Sequence, residues 1–214
     1  MSKEIDQLFT KAGTAINNSL QNTKLQPLLA EFGYTAEKLT EGKALLDTAT
    51  SLNITQAKET GEKVQATATL DEKRELANRE YIKYVKIARI AFTDEPGIWK
   101  SLGLAGERKG SISGWISQAR QFYSNLMANT DWMTKMNTYG ITIEKLQAGE
   151  ELLQEVEEAQ NQQKTEMGEA QEATRLRDEA ADILQDWYSD FIAIARIALE
   201  DNPQYLEMLG IVKK

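Results

Sequence analysis

The sequence predicts an all-α protein, a tandem-duplicated antiparallel helical bundle, and three observations lead there. Ala, Leu, Glu, Gln and Lys are abundant, and only 3 prolines and 13 glycines interrupt 214 residues, so intrinsic propensity favours helix along most of the chain. Apolar residues recur at helical rather than alternating spacing. The chain also repeats itself at a fixed offset of 107 residues: Phe32-Gly33-Tyr34-Thr35-Ala36-Glu37-Lys38-Leu39 aligns with Tyr139-Gly140-Ile141-Thr142-Ile143-Glu144-Lys145-Leu146. Tyr84 to Ala91 aligns in the same way with Phe191 to Ala198, and Asp94, Pro96, Leu102 and Gly103 recur as Asp201, Pro203, Leu209 and Gly210. No gap is needed anywhere between. The expected organisation is two pseudo-equivalent helical repeats, residues 1–107 and 108–214. Each would carry three main helices of about 20 to 30 residues and a short C-terminal helix, with up-down-up connectivity in an elongated molecule.

The first helix of each repeat is marked by one apolar face: Ile5, Leu8, Phe9, Ala12, Ala15, Ile16 and Leu20, then Ile112, Trp115, Ile116, Ala119, Phe122, Tyr123, Leu126 and Met127. Ser111 or Ser113 starts the second set, after a linker from Ala105 to Gly110. Asn22-Thr23 and Asn129-Thr130 break these helices. A short apolar turn follows through Leu25, Leu28 and Leu29, or through Trp132, Met133 and Met136. Pro27 fits there only inside the first turn of a new helix, where its missing N–H would have had no partner. Gly33 and Gly140 then read as terminators, because glycine enters the left-handed conformation without a Cβ penalty. Thr35 and Thr142 read as N-caps of the next helix, with Glu37 and Glu144 at the positive end of its dipole. Tyr34 with Leu39, and Ile141 with Leu146, have the spacing of a hydrophobic staple.

Beyond residue 54 the apolar pattern thins. Gln56, Glu59, Gly61, Glu62, Ala66 and Thr67 recur as Gln163, Glu166, Gly168, Glu169, Ala173 and Thr174, small and polar types where a buried helix would carry leucine. The expectation is a tight turn near Gly61 and Gly168 and a helix returning antiparallel to about residue 93. The alternative is one continuous helix from Thr35 to Phe92, since a single glycine marks the turn and the coiled-coil-like periodicity barely falters. Asp94 and Asp201 are placed to cap a final short helix that holds Pro96 or Pro203 in its first turn and closes at Gly103 or Gly210.

Composition restricts function more than it assigns it. The formal net charge is −8, with the excess of acid in the second repeat, where Glu150, Glu151, Glu155, Glu157 and Glu158 cluster; a phosphate backbone would be repelled, so no nucleic acid is expected as partner. Cysteine and histidine are both absent. Their absence removes thiol chemistry, the commonest general base and the imidazole metal ligands. No leader peptide and no membrane-spanning run is apparent, and the expected location is cytoplasmic.

Four sets of residues are candidates for chemistry. Arg89 and Arg196 sit within the apolar stretches Ile87 to Phe92 and Ile194 to Leu199; they could clamp an anion, but a structural pairing with Glu37 and Glu144 is the better account if a turn near residue 62 brings residue 89 opposite residue 36. Glu59 with Glu62, and Glu166 with Glu169, stand three apart on a helical face, a weak polar cluster that could hold Mg²⁺ or Ca²⁺ or act as an acid and base pair, yet is ordinary solvated surface in most helices. Trp99, Trp115, Trp132, Trp187, Tyr188 and Phe191 could line a pocket; ordinary core packing explains them better, because Trp115 stands where the first repeat has Leu8 and Trp132 where it has Leu25. The acidic run from Glu150 to Glu158 could dock a basic partner or simply be solvated.

No nucleophile is paired with a base, no glycine-rich phosphate loop is present, and no catalytic, cofactor or metal residue is assigned. The expected function is a non-enzymatic helical scaffold or protein-interaction module whose partner is a protein. The alternative is a binding protein for a small apolar ligand or a lipid surface, using the groove between the repeats. The duplication itself suggests either an internal pseudo-dimer or two sites for a repetitive partner.

Overall fold

The computed structural model describes residues 2–211, with side chains from Lys3 onward. Among the described residues every regular element is a helix: α1 (Ser2–Gln21), α2 (Leu25–Ala30), α3 (Ala36–Ala91), α4 (Pro96–Ser101), α5 (Ile112–Met127), α6 (Thr130–Asn137), α7 (Ile143–Ala198) and α8 (Gln204–Met208). None of these helices is long and apolar enough to cross a membrane. α3 and α7 each hold 56 residues, and their first and last positions are 107 apart.

The turn expected near Gly61 and Gly168 does not form, and neither half has three main helices of similar length: each has one long helix with shorter ones before and after it. The physical reason lies in what a turn requires. Breaking a helix leaves four N–H and four C=O groups to be satisfied at the two new ends. The residues around Gly61 and Gly168 provide no left-handed glycine for the purpose, since neither is among the residues with positive φ. They provide no proline or N-capping Asn or Asp either. Keeping one glycine inside a helix costs only about 1 kcal/mol relative to alanine, so continuity wins.

Contacts divide the chain into two compact units. The first joins residues up to Gly61 with those from Gly168 onward, and the second is Glu62–Met167. Each unit takes residues from both halves of the sequence, and the linker expected near residue 107 falls inside the second.

In the first unit, Leu25, Leu29, Tyr34 and Leu39 are buried with Phe191, Ala195, Leu199 and Leu209. Farther along, Ile5, Leu8, Ile16, Leu46 and Ala49 are buried with Ala181 and Leu184. Tyr34 packs its ring 4.9 Å from Phe191, and rising positions of α3 meet falling positions of α7, so these two stretches run antiparallel. In the second unit one continuous core runs from Leu70 through Tyr81, Phe92, Trp115, Phe122 and Tyr123 to Val156. Its centre is aromatic: Tyr81 lies 5.6 Å from Phe122 in a T-shaped arrangement and 6.3 Å from Trp115, a geometry that aligns ring edges with ring faces. Trp115 donates its indole N–H to Asn78 Oδ1 at 3.1 Å. At the far end Gln163 reaches Thr67 at 3.4 Å and Lys73 pairs with Glu155 at 3.3 Å, again an antiparallel order.

The short helices depart from expectation in their caps. The backbone of Asp94 is left-handed at φ 67, Glu95 is the N-cap residue of α4, and no side chain caps it. Pro203 is the N-cap residue of α8, also without a side-chain bond, so Asp201 does not cap there. Ser111, by contrast, caps α5 through Gly114 N–H at 3.2 Å, and Asn129 caps α6 through Trp132 N–H at 3.0 Å.

Candidate functional site

The corner before each long helix is built from two adjoining motifs. Gly33 and Gly140 are left-handed, at φ 88 and 73. Around Gly33, Tyr34 N–H bonds Leu29 O at 3.1 Å and Gly33 N–H bonds Ala30 O at 3.0 Å. Around Gly140, Ile141 N–H bonds Met136 O at 3.1 Å and Gly140 N–H bonds Asn137 O at 2.9 Å. These paired bonds satisfy the carbonyls that a helix end would otherwise leave open. Thr35 then accepts from Lys38 N–H at 3.3 Å, and Thr142 from Lys145 N–H at 3.5 Å. A hydrogen bond with Thr142 holds the Glu144 carboxyl below the usual carboxylate range. Glu37 occupies the corresponding place in the first turn of α3. Tyr34 and Leu39 are buried in one apolar cluster, Ile141 and Leu146 in another.

Arg89 and Arg196 do not have the partners expected of them. In a continuous α3, Arg89 and Glu37 are 52 positions apart at about 1.5 Å each, far beyond any contact. Arg89 instead donates from Nη2 to the Leu104 carbonyl at 2.8 Å, and its guanidinium lies 5.9 Å from the centre of the Trp99 ring. Its Nε is buried without a hydrogen-bond partner. Arg196 is exposed. The Leu104 carbonyl and the Trp99 ring together make a cradle for Arg89 that ties α3 to the turn after α4.

Of the four candidate carboxylates, Glu59 and Glu169 belong to the first unit and Glu62 and Glu166 to the second. Glu59 pairs with Lys58 at 3.1 Å; Glu169 is exposed. Glu62 and Glu166 line a cavity of about 280 Å³ together with Gln65, Ala66, Thr69, Ala159 and Gln162. Gln162 donates to Glu166 Oε1 at 2.5 Å, while Oε2 is buried without a partner. No family model, curated protein or solved structure matches this chain.

Two further features recur between the halves. Gly42 and Gly149 sit 107 apart inside α3 and α7, each under an aromatic ring. A Cβ on Gly42 would lie 2.2 Å from Trp187, and one on Gly149 would lie 2.6 Å from the Tyr123 hydroxyl. Recurrence of a lone glycine at the same offset, in a stretch otherwise made of helix formers, is the signal that could have found them. The second feature is a set of exposed apolar side chains that recur at that offset: Phe32 with Tyr139 (46% and 47% exposed), Leu76 with Ile183 (38% and 53%) and Ile90 with Ile197 (63% and 54%).

Proposed function

We propose that the chain is a non-enzymatic helical scaffold that binds protein partners through two equivalent surfaces, one on each compact unit. The recurrent exposed apolar residues carry this reading. Single apolar residues on a surface are unremarkable, and Ile54, Val64 and Met167 are of that kind: their counterparts are Asn161, Gln171 and Thr60. The three recurring pairs keep an apolar side chain in both halves although no core requires it. The first unit carries Phe32, Ile183 and Ile197, the second Tyr139, Leu76 and Ile90. Within each unit the two aliphatic positions are 14 residues apart on one helix, four turns along nearly the same face and about 21 Å from each other. Tandem duplication is part of the same proposal. It is supported by the matching bounds of α3 and α7 and by left-handed glycines at Gly33 and Gly140 and at Gly103 and Gly210.

The test is a variant with Leu76, Ile90, Ile183 and Ile197 all changed to Gln, a good helix former, so that stability shifts by no more than about 0.5 kcal/mol per site. Proteins cross-linked to the wild-type chain in its native cell are expected to fall at least tenfold with the variant, while the variant still unfolds in a cooperative thermal transition. Equal capture by both chains would rule the surface out. A blue shift of tryptophan emission on liposomes would instead favour a lipid-binding function.

A further inference from the structure

Gly42 and Gly149 occupy the same position in the two long helices, but different helices supply the ring that covers them. In the first unit the ring is Trp187 of α7, and Ile16 of α1 is buried in the same cluster. In the second unit it is Tyr123 of α5. Offset by 107, Tyr123 corresponds to Ile16 and Trp187 to Glu80. Glu80 turns to Lys83 at 2.8 Å. Each notch therefore receives one aromatic side chain, and the residue that could have supplied a second is aliphatic or charged.

Each compact unit also joins residues of 1–107 to residues of 108–214. Tyr34 meets Trp187 and Phe191 in one unit; Tyr81 meets Trp115, Phe122 and Tyr123 in the other. The cores are thus interfaces between the two halves. We propose that the halves are heterospecific partners, with residues 42, 80, 123, 149 and 187 setting the specificity. Pairing 1–107 with another copy of itself would place Ile16 and Glu80 about Gly42, leaving the notch without a ring and a carboxylate facing it. Pairing 108–214 with itself would bring both Tyr123 and Trp187 onto Gly149, where a single methyl group already lacks room. Only the mixed pair gives one ring to each notch, so discrimination comes from a void on one side and overpacking on the other.

A specific protease site inserted between Gly106 and Glu107, in the exposed linker, allows the folded full-length chain to be cut. The two fragments are expected to remain one particle with the mass of the intact chain, 24.1 kDa, by light scattering; separation into two half-sized particles overturns the proposal. The cut protein is then unfolded in urea, refolded, and its pairs are counted by native mass spectrometry. Mixed pairs are expected to exceed nine in ten, whereas a quarter, half and quarter distribution overturns specificity. Exchange between unlabelled and nitrogen-15-labelled cut protein, without denaturant, reads the same preference should refolding be incomplete. In the cut chain, Trp187→Gln removes the second ring and is expected to raise like-with-like pairing of 108–214 at least tenfold; no rise would overturn the account of the notches.

Discussion

Arg89 and Arg196 are the same residue at corresponding ends of α3 and α7, and their surroundings make them unequal. Arg89 has the Leu104 carbonyl and the Trp99 ring; at the positions corresponding to those two, the second half has Ile211 and Leu206, so Arg196 lacks a counterpart of the Trp99 ring and is exposed. Arg89→Ala is expected to cost about 1–2 kcal/mol, through one hydrogen bond from a charged donor and one cation–π contact. Arg196→Ala should stay within about 0.5 kcal/mol, both read from urea unfolding. Equal effects would show that the cradle contributes nothing. That an arginine in an apolar stretch needs a partner was legible in the sequence. Its actual acceptor was not, because a backbone carbonyl 15 residues away has no side-chain signature and the expected carboxylate depended on a turn that does not form.

At the scale of the element, glycines in the two long helices divide into opposite kinds. A methyl group on Gly61 or Gly168 would meet nothing within 4 Å, so Gly61→Ala and Gly168→Ala are expected to stabilise by about 0.5–1 kcal/mol each. Gly42→Ala and Gly149→Ala gain the same propensity and lose more, a net cost of about 1–3 kcal/mol, because Trp187 and Tyr123 must move. Thermal unfolding of the four variants separates the kinds; a loss at Gly61 would argue for a turn there. The corners at Gly33 and Gly140 are legible from sequence since terminator, cap and staple all lie within seven consecutive residues, Gly33 to Leu39 and Gly140 to Leu146. Continuity of α3 was legible only as the alternative to a turn, because one glycine is compatible with both a turn and a helix interior. The choice depends on packing against residues about a hundred positions away.

Across the whole molecule, the phenols of Tyr34, Tyr81, Tyr84, Tyr123 and Tyr188 are all pushed above their ordinary range, chiefly by burial. Unfolded, these groups lose their protons near pH 10; folded, they keep them longer, so above that pH the folded form binds more protons than the unfolded form. Their stabilising contribution is therefore complete below about pH 10 and is lost as pH rises through the folded values. The denaturation midpoint should fall between about pH 9 and pH 11, and Tyr123→Phe should shrink the fall. At neutral pH that variant should be no less stable, because the Tyr123 hydroxyl is buried without a hydrogen-bond partner. The division into units has a consequence for synthesis. The segment Glu62–Met167 is contiguous and can complete its core while the ribosome is still adding residues. The opening segment through Gly61 must wait for everything from Gly168 onward, roughly 10 to 30 s at ordinary elongation rates. During that interval Leu25, Leu29 and Leu39 face the solvent on a nascent chain, which makes the N-terminal helices the natural place for a chaperone to hold.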